Sequence, residues 1–413
     1  MPKKITRDLP FLIVGAGIGG LSAALSLTRA GFPVHVLEQA SELKEIGAGI
    51  QLGPNVFRMF DVLGIKDTVA KYSVFPDRYQ IMDAITGEEL THMPLGDVCL
   101  KRFGYPYAVA HRHDVHQALV DAVRDTEVQI TLNCRVAEFT DTGESVAVTS
   151  EDGRVIGGLA LIGADGIHSK IREALKKGEF DPLSPGLMAA RAVPDINAVP
   201  EEVRSHRITI WHGPKCHTIY YPLRNGTILN LACVFELDHS RDMSDWNMQK
   251  ELHKTYAGQH PTILKLLPLL EDRRYAAGTE RIAVKDWSRG RVTLLGDAAH
   301  AMTQNMAQGG AMAVEDAVVL ADKLLNADDI SAAFMAYQND RYLRTARVQL
   351  AARFYGEVMH MVGAERDLRN AIFKALDPWK NLEAFAWLYE GLSTSDRAAY
   401  ALSKRMPASS SAP

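Results

Sequence analysis

Residues 10–38, PFLIVGAGIGGLSAALSLTRAGFPVHVLE, determine the predicted fold of this chain. The short apolar run at 10–14 is typical of a strand buried on both faces, and the alanines and leucines at 21–30 favour a helix. A second strand at 34–38 ends on Glu38. This order predicts a βαβ unit with a right-handed crossover, and hence a Rossmann-like parallel sheet.

The turn between the first strand and the helix carries the pattern G-x-G-x-x-G. Gly15 allows the sharp turn, Gly17 lets the backbone approach a pyrophosphate, and Gly20 permits close packing of helix against strand. Glu38 is placed to accept hydrogen bonds from a ribose diol, which argues against a 2′-phosphate and therefore against NADP at this site. A glycine-rich turn that only packs against the helix is the alternative. The pattern does not distinguish NAD from FAD.

Composition excludes several classes of protein. The 413 residues include 46 Lys and Arg against 50 Asp and Glu, a net charge of −4 that provides no basic field for nucleic acid. The four cysteines form no CxxC pair, which favours reduced thiols in a cytoplasmic protein. The apolar run at 11–27 could pass for a signal peptide, but its patterned glycines and the strand that follows argue against one. No other segment approaches the roughly 20 apolar residues of a membrane span.

Changes in residue pattern divide the chain into four segments. Runs such as RITIWH, HTIYYPL and TILNLACVFEL predict an inserted, mainly antiparallel sheet, and RVTLLGDAAH (291–300) predicts a strand that rejoins the first sheet. The predicted segments are 1–184 (first part of the nucleotide-binding domain), 185–285 (antiparallel substrate domain), 286–345 (return of the first domain) and 346–413 (C-terminal helices and a loose tail). Further predictions are a hairpin over 78–93 and a helix over roughly 363–390.

Two more motifs follow the glycine turn in the sequence. DGIHSKIR at 165–172 lies on a strand-to-helix turn, and GDAAH at 296–300 ends another strand. With these three motifs in this order, the chain resembles the single-component flavoprotein aromatic hydroxylases over about residues 10–345. The resemblance implies an α/β (α+β) protein with a Rossmann-like FAD-binding domain, an inserted antiparallel β-sheet substrate domain and C-terminal helices.

The resemblance also implies roles for individual residues. Asp297, beside Gly296, would meet the ribityl chain of FAD, and Asp165 would serve FAD and nicotinamide binding together. Arg112, within HRHDVH, would contact the flavin nucleotide. These roles are chemically consistent, because a carboxylate accepts from ribityl hydroxyls and a guanidinium matches phosphate. Capping of the next helix is an alternative for Asp297.

Two further glycine-rich stretches have a placement that suits a flavin. EIGAGIQ, which contains Gly49, lies where the mobile flavin loop of that family begins. In MAQGGA, Gly309 and Gly310 precede a helix, so their N–H groups could face the pyrimidine edge of a flavin. The alternative for both stretches is that their glycines only form loops and have no role in flavin binding.

The implied reaction uses NADH and O₂ as well as FAD. Reduced FAD and O₂ form a C4a-hydroperoxide whose distal oxygen attacks an electron-rich aromatic ring. A phenol has a pKa near 10 and is neutral at pH 7, so a base near its oxygen is expected. Because the sequence contains no second G-x-G-x-x-G unit, NADH is expected to dock transiently.

His217 is the candidate base, and Tyr221 lies on the same face of the predicted strand. Gln304 and Ala301 stand where the hydroxylase family commonly has proline. These departures are similar to the 3-hydroxybenzoate 6-hydroxylases of the family, and imply conversion of 3-hydroxybenzoate to gentisate (2,5-dihydroxybenzoate). By that resemblance His217 and Gln304 would polarise or deprotonate the 3-hydroxyl, while Tyr107 and Tyr221 would hold the carboxylate and orient the ring. A structural histidine and packing tyrosines are the alternatives.

Other functions remain open at this point. They are a salicylate or 6-hydroxynicotinate hydroxylase, a flavin-dependent dehydrogenase or oxidase, and a non-catalytic flavin-binding regulator. The expected partners are a small aromatic acid, O₂ and NADH, without nucleic acid or a membrane span, and a homodimer is allowed. No metal site is expected at His111, His113 and His116, because their rings should diverge where strand passes into helix.

Overall fold

The computed structural model describes residue 5 and residues 8–44, 47–176, 182–237, 247–270, 274–392 and 402. Glu45, Ile46 and the predicted loose tail lie outside these residues. Within them the strands are β1 (Phe11–Val14), β2 (Val34–Leu37), β3 (Gly49–Leu52), β4 (Ser73–Val74), β5 (Arg78–Asp83), β6 (Glu89–Pro94), β7 (Ala108–His111), β8 (Gln129–Thr131), β9 (Val136–Asp141), β10 (Val146–Ser150), β11 (Val155–Gly158), β12 (Ala160–Gly163), β13 (Leu187–Ala192), β14 (Ile208–Gly213), β15 (Cys216–Leu223), β16 (Ile228–Glu236), β17 (Arg274–Ala277), β18 (Ser288–Arg289) and β19 (Val292–Leu294).

The α-helices of the same residues are α1 (Ile18–Arg29), α2 (Pro54–Val62), α3 (Lys66–Lys71), α4 (Gly96–Phe103), α5 (Arg112–Arg124), α6 (Lys170–Leu175), α7 (Met248–Thr255), α8 (Pro261–Leu264), α9 (Asp297–His300), α10 (Gly309–Leu325), α11 (Ile330–Met359), α12 (Gly363–Ala375), α13 (Pro378–Ala384) and α14 (Ala386–Tyr389). Short 3-10 helices occur at Ile196–Ala198, Glu201–Val203, Arg224–Gly226, Leu267–Leu270 and Gln304–Met306.

A six-stranded sheet in the order β18-β19-β12-β1-β2-β8 forms the Rossmann-like part of the fold. All its pairings are parallel except that of β18 with β19. All four residues of β1 are buried, as expected for a strand covered on both faces. The predicted βαβ unit is confirmed, and so is the return of the chain to this sheet at β19.

A seven-stranded sheet in the order β17-β13-β16-β15-β14-β5-β6 forms the inserted part. It is antiparallel apart from the parallel pairing of β14 with β5. The hairpin predicted over 78–93 is confirmed as β5 and β6, but it joins this sheet although the sequence division placed it within 1–184. Local patterning predicts a hairpin and does not reveal its distant partner strand. The division into four segments itself stays a prediction.

Two three-stranded sheets complete the β-structure of the described residues. One has the order β11-β10-β9, and its β10–β11 hairpin turns at Asp152-Gly153. The other has the order β3-β7-β4, and β7 lies against β15 of the seven-stranded sheet. This second small sheet therefore packs against the inserted sheet.

The single helix predicted over 363–390 is wrong. The structure has α12, α13 and α14 there, because Pro378 begins a new helix and holds the preceding residue in an extended conformation. Asp377 accepts hydrogen bonds from the backbone N–H groups of Trp379 and Lys380, which satisfies the first turn of α13. The resulting bend carries the chain over the large cavity described below.

Two apolar cores lie on either side of that cavity. The larger one packs β1, α1, α2 and α10 together, and the smaller one covers the outer face of the seven-stranded sheet with Trp211, Phe235 and Tyr256. Across the part of the chain that the structure describes, no helix combines the length and apolarity needed to cross a bilayer.

Candidate active site

The glycine turn after β1 has the tight geometry that its sequence predicts. Gly15 has φ +101°, and a Cβ there would lie 2.5 Å from the Ala164 carbonyl oxygen. A Cβ on Gly20 would lie 1.9 Å from the carbonyl oxygen of Gly15, so only glycine permits this packing of α1 against β1. Gly17 is different, because nothing lies within 4 Å of a Cβ built there. Gly17 is also the N-cap of α1 and has no side-chain cap, which leaves the first N–H donors of the helix available to an anion.

Glu38 is held beside this turn by two backbone amides. Its carboxylate accepts from the N–H of Ala16 at 2.7 Å and from the N–H of Ala40 at 2.8 Å. Each oxygen keeps a further lone pair, as binding of a ribose diol requires. His116 anchors the turn from the other side, with its Nε2 2.8 Å from the carbonyl oxygen of Ala16.

His116 therefore has a structural partner, and His111 Nδ1 accepts from the backbone N–H of His113. Among the described residues, no group of three or more His, Cys, Asp or Glu side chains is arranged to hold a metal ion.

A cavity of about 1060 Å³ extends from the glycine turn to the seven-stranded sheet. Ligand pockets usually measure about 300–1,000 Å³, so this one has room for a large ligand together with a small one. It brings together eleven of the residues predicted from sequence: Gly17, Gly49, Tyr107, Arg112, His217, Tyr221, Gly296, Asp297, Gln304, Gly309 and Gly310. Gly15, Gly20, Glu38 and Asp165 lie outside its lining.

Gly296 and Asp297, the first two residues of GDAAH, line the cavity on a tight turn that buried side chains hold in place. Gly296 has φ +63°, and its N–H donates to Asp316 Oδ2 at 3.0 Å. His300 Nε2 is 2.6 Å from the same oxygen, and Arg341 donates to Oδ1 at 2.6 Å. Burial alone would raise the pKa of Asp316, but His300 and Arg341 lower it to about 2. The ionised Asp316 thus fixes the turn that presents Asp297 to the cavity.

Asp165 has a local role in this geometry. Its carboxylate accepts from Ser169 Oγ at 2.6 Å and from the N–H groups of Lys170 and Ile171 at the start of α6. Burial raises the pKa of Asp165. Gly166, its neighbour, is the residue of this motif that lines the cavity. The role of Asp165 in FAD and nicotinamide binding stays a prediction.

Three further elements complete the same half of the cavity. Arg112 begins α5 and lies against Gly47, where a Cβ would come within 3.0 Å of the arginine side chain. Gly309 and Gly310 begin α10, which has no side-chain cap, so its amide donors are available at the cavity. Gly49 donates its N–H to Asn230 Oδ1 at 2.7 Å, and a Cβ there would lie 2.5 Å from the Tyr221 ring.

The other half of the cavity is formed by the seven-stranded sheet. His217, Ile219 and Tyr221 all line it, as the alternation along β15 predicts. His217 is 3% exposed, and its pKa is lowered well below the usual value by burial and, to a smaller extent, by the repulsion that protonated His360 or His212 would exert. The ring is therefore neutral at neutral pH, as a base must be.

Tyr107 and Gln304 reach this half from other elements. Tyr107 is buried, and its hydroxyl donates to Gln51 Oε1 at 2.6 Å, so that proton is not available to a substrate carboxylate. Gln304 accepts a hydrogen bond from Arg191 through its Oε1. Their predicted contacts with substrate stay predictions.

The polar residues that sequence reasoning missed include Arg191, His212 and Asn230, which line this half, and His360, which contacts His217. Arg191 interrupts the otherwise apolar strand β13, and burial lowers its pKa. His212 and Asn230 lie directly opposite His217 and Tyr221 on the neighbouring strands. An arginine within an apolar strand is a signal that the sequence itself contains. The positions of His212 and Asn230 depend on strand register, and that of His360 depends on a helix far away in the sequence.

Comparison with known proteins agrees with this geometry. Residues 8–349 match the family described as FAD binding domain. The chain belongs to the FAD binding domain family. FAD is therefore the cofactor of this chain, and the roles of the glycine turn, Asp297 and the start of α10 in holding it stay predictions. A 3-hydroxybenzoate 6-hydroxylase of Polaromonas naphthalenivorans is 42% identical over 92% of this chain and 96% of its own. The 3-hydroxybenzoate 6-hydroxylase of Klebsiella oxytoca is 38% identical with the same coverage.

Solved structures of relatives also resemble the whole chain. Klebsiella pneumoniae HpxO, in a complex with FAD and uric acid, has a TM-score of 0.82 and 26% identity, covering 94% of this chain and 98% of its own. The similarity extends over nearly the whole chain, so the Rossmann-like fold with an inserted sheet is confirmed.

The residues present fit FAD, and Gly17→Ala tests the fit at the glycine turn. Because the added methyl group meets no protein atom, we expect the flavin-free protein to keep its melting temperature. The methyl group instead occupies the open side of the turn, where the backbone must approach a pyrophosphate. We expect FAD to bind about tenfold more weakly, or about 1.4 kcal/mol, in a titration of the flavin-free protein.

Gly157→Ala is the matched control, because Gly157 also has nothing within 4 Å of a built Cβ and lies on β11, outside the cavity lining. Equal FAD affinity of the two variants would contradict the assignment of Gly17.

Proposed function

We propose that this FAD-binding chain is a monooxygenase that uses NADH and O₂ to hydroxylate a small hydroxybenzoate, with 3-hydroxybenzoate as substrate and gentisate as product. The observation that carries the proposal is one cavity lined on one side by the glycine turn, Asp297 and the start of α10, and on the other by the buried His217. The names and 38–42% identity of two near full-length relatives support the choice of substrate. Bound FAD, once reduced, would activate O₂ and supply the oxygen atom.

The chain's own residues would prepare the aromatic ring. His217 would take the proton of the 3-hydroxyl at Nε2, because its Nδ1 is already hydrogen-bonded to His360 at 2.8 Å. The side-chain amide of Gln304 would donate to the resulting phenolate oxygen. Ile210 and Ile219 give this half an apolar wall that excludes water and strengthens these interactions.

Arg191 would attract the substrate carboxylate. Arg191 lines the cavity, is partly buried and donates a hydrogen bond to Gln304. A guanidinium is the side chain best matched to a carboxylate. Arg191 would thus be the donor to the carboxylate, because the Tyr107 hydroxyl donates its proton to Gln51.

We expect Arg191→Met to raise the dissociation constant of 3-hydroxybenzoate by about 10- to 100-fold, since charge-assisted hydrogen bonds contribute about 1.5–3 kcal/mol. FAD content should stay unchanged. Binding of 3-hydroxybenzamide, which lacks the carboxylate charge, should change much less, and titration of both ligands measures the difference. An equal loss for both ligands would show that Arg191 acts on something other than the carboxylate.

A panel of aromatic acids tests the proposed function directly. Purified holoenzyme is given NADH and ¹⁸O₂ with 3-hydroxybenzoate, salicylate or 6-hydroxynicotinate, and both NADH consumption and product are measured. We expect gentisate that carries one ¹⁸O atom. NADH oxidation that yields only peroxide would instead indicate an oxidase, and bound FAD that never reacts would indicate a regulator. Action in the cytoplasm and a homodimer remain predictions from sequence.

A further inference from the structure

A chain of three side chains leads from the cavity to the protein surface. His217 Nδ1 lies 2.8 Å from His360 Nε2, and His360 Nδ1 lies 3.0 Å from Glu236 Oε1. His217 and His360 are 3% and 5% exposed, whereas the Glu236 side chain is 41% exposed. The chain therefore begins in a buried pocket and ends in solvent.

The hydrogen bonds determine which ring nitrogens carry protons. The bond to His360 is the main reason why the pKa of Glu236 is lowered, so Glu236 is an ionised acceptor. His360 must then hold its proton on Nδ1, and its Nε2 accepts the Nδ1 proton of His217. His217 Nε2 keeps its lone pair, and the structure gives it no hydrogen-bond partner among the described residues.

His217 is poorly suited to keep a proton that it accepts. Burial disfavours its charged form, and Arg191, His212 and His360 are the charged or titratable groups that face it. A phenol proton taken by this ring needs a route to a better-solvated acceptor. Tyr256 does not provide one, because its hydroxyl donates to the backbone carbonyl oxygens of His217 and Val234.

We propose that His217, His360 and Glu236 form a proton-transfer chain that carries the substrate's phenolic proton from the cavity to solvent. The proposal rests on the proposed function. The phenolic O–H bond breaks as His217 Nε2 gains the proton, the Nδ1 proton of His217 passes to His360 Nε2, and the Nδ1 proton of His360 passes to Glu236 and then to water. Return of one proton to the phenolate oxygen of the product runs the three transfers backwards and restores the original tautomers. His217 is the catalytic residue of this chain, and His360 and Glu236 act through it.

Proton release is the measurement that separates transfer from simple positioning. FAD-loaded protein is mixed with 3-hydroxybenzoate in weak buffer that contains a pH-indicator dye, and the rate of proton release is followed by stopped flow. In His360→Gln the amide oxygen can still accept from His217 Nδ1–H but cannot pass a proton onward. Glu236→Gln removes the acceptor at the surface. We expect each variant to slow release by at least about tenfold, with FAD content and substrate affinity unchanged.

Glu202→Gln is the control, because the Glu202 side chain is 42% exposed, ion-pairs with Lys265 and has no link to the histidines. It should release protons at the wild-type rate. If His360→Gln does not fold, Glu236→Gln at the exposed end decides the question alone. Wild-type release rates in both His360→Gln and Glu236→Gln, with normal wild-type hydroxylation, would overturn the chain and leave the proposed function standing. Absence of hydroxylated product from wild-type protein with every aromatic acid would overturn both.

Discussion

His217→Gln is expected to lower the rate of hydroxylation by about 10²- to 10⁴-fold, the usual contribution of a positioned general base. Glutamine fills similar space and can hydrogen-bond to His360, but it cannot take a proton from a phenol. FAD content should stay near that of the wild type, because His217 lies in the sheet half of the cavity, away from the glycine turn. Single-turnover kinetics of product formation measures the loss.

The pH dependence should change in a defined direction. Burial lowers the pKa of His217 well below 6.5, the usual value for histidine. The ring therefore stays neutral, and able to accept a proton, both above pH 6.5 and just below it. The wild-type rate should therefore be flat across this range. The variant depends on phenol that ionises unaided, so its rate should rise about tenfold per pH unit until the phenol pKa near 10 is approached.

His206→Gln is the control for that experiment, since His206 is exposed and lies outside the cavity lining. An unchanged rate in His217→Gln would remove the proposed base. Loss of FAD in that variant would show a structural role instead.

Arg341→Met is expected to lower the free energy of unfolding by about 3–5 kcal/mol, the usual cost of removing one partner from a buried ion pair. Arg341 is fully buried, and it donates to Asp316 Oδ1 at 2.6 Å and to Glu315 Oε2 at 2.7 Å. Methionine fills much of the volume but removes the positive charge that neutralises the buried carboxylates of Glu315 and Asp316. Urea denaturation of the flavin-free protein measures the change.

The same substitution should also weaken FAD binding. Asp316 accepts the N–H of Gly296 and holds the turn that presents Asp297. Arg347→Met on the same helix is the control, because Arg347 is exposed and lies 3.9 Å from the centre of the Trp387 ring. Its cost should be only about 0.5–1 kcal/mol. A loss below about 1 kcal/mol in Arg341→Met would show that the buried carboxylates are neutralised in another way.

The sheet half of the cavity could be predicted only in part. His217 and Tyr221 were found because the period of two along one strand places them on one face. Arg191 could have been found as a lone charge in an apolar strand. His212 required the register between β14 and β15, and a shift of one residue would have turned it away from the cavity.

The extent of the inserted sheet and the number of C-terminal helices could also be predicted only in part. The β5–β6 hairpin was readable from its local pattern, but its pairing with β14 was not, because that pairing joins residues far apart in sequence. The break at Pro378 follows from the proline itself, which favours the first turn of a helix, whereas apolar spacing continues across it and does not reveal the break.

The sequence by itself determined the Rossmann-like unit, the order of the three motifs and the likeness to flavin hydroxylases. Glycine positions and strand-ending acids restrict the backbone locally, so their meaning does not depend on distant residues. Tertiary structure alone decided which polar groups face His217. His360 is 143 residues away along the chain and reaches His217 only because α11 ends where β15 begins, within hydrogen-bonding distance. Long-range packing, which no local pattern encodes, therefore set the proton route and the charge environment of the site.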